Sequence, residues 1–164
     1  MEKVILKMEN YNLENFDKVW SRVSDTATDS EFSESSAAKL RLFIDREASD
    51  IANYSALASQ CRGPVLRTVS EIISDERTHL KKLQTMHFLL TGDTYAPEVS
   101  KKEYRSVLDA FRDRYKGEIS GCYEYKKAFT ETENERLSEL YADFSADEKR
   151  HSSILENLIS NMMG

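Results

Sequence analysis

The sequence contains few of the residues that interrupt helices or cross-link small domains. Its 164 residues include five glycines and two prolines, so long helices can run without a break. Cys61 and Cys122 form no C-x-x-C pair and are too few for a disulfide framework, which favours a reducing compartment. No apolar run approaches the roughly 20 residues of a membrane span. Residues 1–10 are too charged for a signal peptide, so we expect a soluble, cytoplasmic protein with no membrane partner.

Positive charge is also scarce. The chain has 29 acidic and 23 Lys or Arg residues, a formal net charge of -6. No basic stripe is present to neutralise phosphates, which argues against a nucleic-acid partner. Hydrophobic residues make up 40% and charged residues 32%. That balance is typical of amphipathic helices with charged outer faces.

Four long segments have the apolar period of a helix. The predicted helices cover about 37–62, which Gly63-Pro64 would end, and 65–91, which Gly92 would end. A third would start at a Ser100–Glu103 capping box and run to about residue 130, and a fourth would follow a turn at 132–134. A shorter pattern at 12–23 predicts a docked helix, and polar residues 24–36 a linker. We therefore predict an all-α fold, with residues 1–36 as a short helix plus linker and residues 37–164 as a four-helix bundle.

Polar residues interrupt the apolar face of every predicted helix. The first and third helices each carry one Glu there, and the second and fourth each carry a Glu-x-x-His. Counted from the turn of each hairpin, these residues fall at similar heights, so both hairpins can bring them into one mid-bundle layer. The six residues are Glu47, Glu76, His79, Glu118, Glu148 and His151.

Four buried carboxylates need compensating charge. The apolar faces as assigned from the sequence contain no Lys or Arg, whereas two divalent cations would balance four carboxylates. One Glu from each of two helices and a Glu-x-x-His from each of the other two is the ligand set of dinuclear carboxylate bundles. The alternative is a set of buried polar residues that satisfy each other.

An internal repeat strengthens the metal-site interpretation. Glu47-x6-Tyr54 matches Glu118-x6-Tyr125, and the Asp-Glu-x-x-His segment at 75–79 matches that at 147–151. In these paired elements, between about residues 40 and 159, the chain resembles the ferritin-like superfamily and most of all its rubrerythrin branch. The resemblance implies a ferritin-like bundle with two metal ions, iron or else manganese or a mixed Mn/Fe pair.

The resemblance also implies a role for each residue. Glu47 and Glu118 would each bind one metal, Glu76 and Glu148 would bridge both, and His79 and His151 would each cap one. Tyr54 and Tyr125 would bond to ligand carboxylates and, with the bridging glutamates, take part in the chemistry. Asp75 and Asp147 would orient the histidines.

The chain departs from the rubrerythrin pattern in two ways. It lacks the rubredoxin module, so electrons would come from an external donor such as a rubredoxin-like protein. Gly121 stands where rubrerythrins carry an extra Glu, and Asp50, at the repeat-equivalent position, is a candidate seventh ligand. Cys122 lies one turn from Glu118, where an ordinary buried thiol is favoured over a redox role. His87 is predicted to be a surface or rim residue, too far along its helix to join the site.

The expected function is reduction of hydrogen peroxide, or dioxygen, at a dinuclear iron site. Alternatives are ferroxidation coupled to iron storage, a Mn or Mn/Fe oxidase, and a metal-free helical interaction module. The predicted link at 92–100 is too short to connect parallel second and third helices. We therefore expect a short helix at 103–113 or hairpins swapped between chains, and a homodimer in either case.

Overall fold

The computed structural model describes residues 34–164, which form four α-helices. They are α1 (Glu34–Ala58), α2 (Gly63–Thr91), α3 (Val107–Glu131) and α4 (Glu135–Met163). No strand occurs in the described range, and the predicted all-α, four-helix fold is confirmed. The predicted helix at 12–23, and the linker up to residue 33, lie outside the described residues. Helix α1 starts at Glu34, inside the segment predicted as linker.

No helix between residues 34 and 164 is both long enough and apolar enough to cross a bilayer.

Two glycines mark helix boundaries in different ways. Gly92 adopts a left-handed conformation (φ 77°), and its N–H donates to the Phe88 carbonyl, so it ends α2 as predicted. Gly63-Pro64 was predicted to end α1, but α1 already stops at Ala58. The dipeptide instead opens α2, where proline is tolerated because the first-turn N–H groups have no helical partner.

Helix α3 starts later than the sequence indicated. Its N-cap is Ser106, whose hydroxyl accepts the Asp109 backbone N–H at 3.1 Å. The Ser100 capping box was therefore wrong. The Ser100 N–H donates instead to the Ser49 hydroxyl of α1 at 3.0 Å, because the preceding chain is docked along α1.

The connection from α2 to α3 spans residues 92–106 and runs along α1. Asp45 accepts from the Tyr95 hydroxyl at 2.9 Å and from the Glu98 N–H at 2.7 Å. Two turns further on, Asn53 accepts the Lys102 N–H at 2.9 Å. At about 3.3 Å per residue this longer link spans the bundle, so α3 runs parallel to α2. The predicted short helix at 103–113 was wrong, and the geometric reason for swapped hairpins disappears.

Helix α1 packs mainly on α2, and α3 mainly on α4. Two apolar clusters occupy the interior, one containing Phe43, Leu83 and Phe144 and the other Leu57, Ile72 and Phe111. Between the two clusters the bundle interior is polar. That layer contains the residues that interrupt the helical apolar faces.

Candidate metal centre

The structure brings all six predicted ligands together in the bundle interior. One group of converging ligand atoms comes from Glu47, Glu76, His79 and Glu148, and the other from Glu76, Glu118, Glu148 and His151. Within each group the atoms lie within 4.8 Å of one another. Glu76 and Glu148 belong to both groups, as bridging ligands would. The two imidazole centroids are 6.2 Å apart.

The inward-facing atoms of this cluster have no hydrogen-bond partner. They include one oxygen each of Glu47 and Glu118, both oxygens of Glu76, and Nδ1 of His79 and His151. The His151 Nδ1 is 3.0 Å from Glu76 Oε1 and the His79 Nδ1 is 3.4 Å from Glu76 Oε2, but neither contact has hydrogen-bond alignment. Leaving so many buried polar atoms unpaired is costly. The donor set, four carboxylates and two imidazoles, fits two iron or manganese ions.

Each histidine is held by an aspartate from the other hairpin. His79 of α2 donates from Nε2 to Asp147 of α4 at 3.2 Å, and His151 of α4 donates to Asp75 of α2 at 3.1 Å. In both rings Nε2 faces an aspartate and donates to it, and Nδ1 faces the carboxylates of the cluster. Arg150 donates to both aspartates at 2.9 Å. Burial raises the pKa of Asp75 and Asp147, but hydrogen bonds from Arg150 and the histidines outweigh it, so both pKa values are lowered.

The tyrosines cross between hairpins in the same way. Tyr54 of α1 donates to Glu118 of α3, and Tyr125 of α3 donates to Glu47 of α1. Both tyrosines are fully buried, and burial together with the adjacent carboxylate raises the pKa of each hydroxyl. They therefore remain protonated donors that fix one oxygen of each single-Glu ligand. The resemblance implied these contacts, but the exchange between hairpins required the fold.

Protons balance the charge of the cluster without metal. Burial opposes the charged form of His79, but Glu47 and Glu76 outweigh it and raise its pKa to about 10. His151 behaves alike, with Glu118 and Glu76 raising its pKa to about 10. A metal ion bound through these nitrogens would therefore displace protons from the imidazoles.

The pKa values of the carboxyl groups Glu47, Glu76 and Glu148 shift in two directions. Burial, and then repulsion from Glu47, raises the pKa of Glu76 to about 8, and burial with repulsion from Glu118 raises that of Glu148. For Glu47, burial would also raise the pKa, but contacts with His79 outweigh it and lower the pKa. The two residues shared between the ligand groups thus retain protons most readily. They are also the positions where two cations would do most to favour ionisation.

Arginines near the site were missed by the sequence interpretation. Arg114 is 4% exposed and lies on the buried face of α3, where no basic residue was predicted. Near the end of the same helix Ala128 is buried, whereas Phe129 is 42% exposed. Arg114 lies one turn before Glu118 and therefore on the same helix face, which could have predicted its place near the site. Arg46 precedes Glu47 and gave no comparable signal.

Asp50 does not join either group of ligand atoms. Its carboxylate accepts a hydrogen bond from Arg114, and the Arg46 Nε lies 3.7 Å from it. A charge-assisted hydrogen bond of this kind holds the side chain to the arginine. The structure therefore places Asp50 in an ion pair, and the seventh-ligand hypothesis is not supported.

Cys122 and His87 both lie outside the cluster of ligand atoms. Cys122 is half-buried, and its thiol lies 3.7 Å from the Ser145 hydroxyl; its assignment as an ordinary thiol stays a prediction. His87 is only 3% exposed, so its assignment to the surface or rim was wrong. Its Nδ1 donates to the Asp93 carbonyl at 3.0 Å, because the start of the long link folds back over the end of α2.

Comparison with known proteins supports the fold and is silent on activity. No protein-family model and no curated protein matches the sequence. Among solved structures, the chain is similar to a conserved hypothetical protein, rv2844, from Mycobacterium tuberculosis, with a TM-score of 0.65 and 18% identity. The similarity covers 78% of this chain and 94% of that one. At this identity the likeness shows a shared helical fold.

Proposed function

We propose that this protein is a ferritin-like, rubrerythrin-like redox enzyme that reduces hydrogen peroxide, or dioxygen, at a carboxylate-bridged pair of iron ions. The observation that carries the proposal is the pair of converging ligand groups that share Glu76 and Glu148. Structural polar clusters in protein interiors are normally hydrogen-bonded to each other. Here the inward atoms are unpaired and those directed outward are bonded.

The protein's own residues fix the site before any metal arrives. Tyr54 and Tyr125 each hold one oxygen of a single-Glu ligand and leave the other oxygen of Glu47 and Glu118 free. The aspartates accept from Nε2 of each histidine and orient its ring. Phe144 packs its ring 4.1 Å from that of His79, which excludes water from one side. This is the preorganisation that a redox metal site requires.

A ferrous pair, when bound, would supply the two electrons that convert one hydrogen peroxide and two protons into two waters. No other redox group is implied by the described residues, so an external donor, such as a rubredoxin-like protein, must return those electrons. Both cysteines are free thiols, in keeping with the reducing, cytoplasmic location that we infer. We further propose a homodimer.

The first test is metal content per chain after anaerobic purification. We expect about two Fe in the wild type and loss of both in Glu76→Gln, because the variant removes a shared ligand. The matched control is Glu71→Gln, an exposed residue of the same helix, which should retain both. Absence of metal even after Fe(II) addition would rule out the proposed function and favour a metal-free helical module.

A second measurement separates the redox candidates. The reduced, loaded protein should be reoxidised by hydrogen peroxide faster than by dioxygen in stopped-flow absorbance. Iron uptake into a large multi-subunit shell, seen by light scattering, would instead indicate ferroxidation and storage. Two Mn, or one Mn and one Fe, would retain the architecture and require a different oxidation chemistry.

A further inference from the structure

Two positions beside the cluster could supply an additional carboxylate ligand. They are three residues after each single-Glu ligand, at Asp50 in α1 and Gly121 in α3, so each lies on the same helix face as that ligand. At each of the two positions, a different arginine prevents an additional carboxylate from reaching the cluster. The two arginines are not related by the internal repeat, because Arg46 belongs to α1 and Arg114 occupies a different place in α3.

Arg114 closes the Asp50 position by ion pairing. One of its nitrogens donates to Asp50 and another to Asp113 at 2.7 Å. Its guanidinium carbon lies 5.7 Å from the centroid of the Tyr54 ring. The side chain is 5% exposed and that of Asp50 15%. With the arginine fixed on three sides, Asp50 cannot reach the ligand cluster without breaking its ion pair with a buried guanidinium.

Arg46 and Glu148 together occupy the space beside Gly121. A Cβ built on Gly121 would overlap the Glu148 carboxylate and would lie 2.5 Å from Arg46 Nη2. The guanidinium is anchored by the Gly117 carbonyl at 2.6 Å and by Glu124 at 2.8 Å. No side chain can extend from position 121 while this cation and the Glu148 carboxylate are in place.

We propose that Arg46 and Arg114 limit the metal site to six ligands and that the positive charge of Arg46 lowers its affinity for divalent cations. The inference rests on the proposed dinuclear function. A fixed cation beside Glu148 repels incoming metal, and at effective protein dielectric constants a unit charge several ångströms away changes affinity by about tenfold or more. Arg46 is a positioning residue, since it acts through Glu148.

The test is calorimetric titration of the metal-free protein with Mn(II), which reads binding independently of activity. Arg46→Gln should bind Mn(II) at least about tenfold more tightly than the wild type, and Arg46→Lys within about threefold of it. The matched control is Lys39→Gln, which removes a charge two turns away on α1 that is paired with Glu131 at 2.7 Å. This control should match the wild type.

The inference that Asp50 is not a metal ligand is tested by combining Asp50→Asn with Arg114→Gln. This pair leaves net charge and side-chain size nearly unchanged. We expect two ions per chain, an affinity within about threefold of the wild type and an unaltered visible spectrum of the Co(II) form. Glu118→Gln provides the reference for loss of a true ligand.

The outcomes are distinct. Weaker binding by Arg46→Gln, or a double variant that behaves like Glu118→Gln, would overturn this inference while leaving the dinuclear function intact. Failure of the wild type to bind Mn(II), Co(II) or Fe(II) would overturn both.

Discussion

Asp147 of α4 accepts a hydrogen bond from His79 of α2, 3.2 Å from Nε2 to Oδ2, so a residue of one hairpin sets the ring orientation of a proposed metal ligand in the other. The reverse contact, His151 to Asp75, has nearly the same length at 3.1 Å. With the crossed tyrosine contacts, this exchange couples both hairpins through the ligand layer. Separation of the hairpins would release every ligand that depends on such a partner.

Asp147→Asn should weaken divalent metal binding by about 10- to 100-fold, the usual effect of losing a carboxylate behind a histidine ligand. The amide can present its NH2 group to Nε2 and so favour the wrong tautomer. Mn(II) titration checks the affinity. Asp143→Asn, an exposed residue one turn earlier on α4, is the control and should not differ from the wild type.

Tyr125→Phe should destabilise the protein by about 1–3 kcal/mol, because the buried Glu47 carboxylate loses its donor. Urea unfolding measures the free-energy change. The control is Tyr141→Phe, in the same aromatic cluster, whose hydroxyl bonds to none of the six ligands. If both variants lose equal stability, ring packing rather than the hydrogen bond to Glu47 accounts for the effect.

The metal-free protein should lose stability as pH rises from about 7 to 10. The folded-state pKa is raised to about 10 for His79 and His151 and to about 8 for Glu76. Each raised value means that the folded state binds a proton that the unfolded state releases, so the contribution is full below the unfolded pKa and is lost through the folded one. Thermal unfolding across this range checks the trend.

The metal-loaded protein should show little of that alkaline loss, because bound cations replace the displaced protons. Conversely, metal affinity should rise over the same pH interval in which the metal-free protein weakens. A stability profile that stays flat for the metal-free form would show that the cluster does not hold these protons.

Gly121→Ala should weaken metal binding more than it changes stability. The added Cβ meets the Glu148 carboxylate and the end of Arg46, and those side chains move more readily than the backbone. Gly117→Ala, one turn earlier on α3, meets only the Arg114 guanidinium at 4.0 Å. It should bind metal normally and gain up to about 1 kcal/mol from helix propensity. Equal metal affinity in both alanine variants would contradict the packing of Glu148 over position 121.

The sequence by itself determined the four helices and the six convergent residues. Apolar periodicity is a local property that every helix carries in its own residues. Six polar interruptions at matched distances from two turns can meet in only one layer. The repeat of Glu47–Tyr54 at Glu118–Tyr125 also predicted two equivalent hairpins, and Gly92 marked the end of α2 through its own backbone freedom.

The tertiary structure alone decided how the remaining charges are used. The link along α1 could not be predicted, because its partners, Asp45 and Asn53, are distant in sequence. The burial of Arg114 on α3 could not be predicted either, since this arginine is interior only where Asp50 neutralises it. Arg46 of α1 extends to Gly121 of α3, a residue distant in sequence. Local periodicity shows which residues are apolar, whereas a buried charge depends on a partner that only the folded chain brings near.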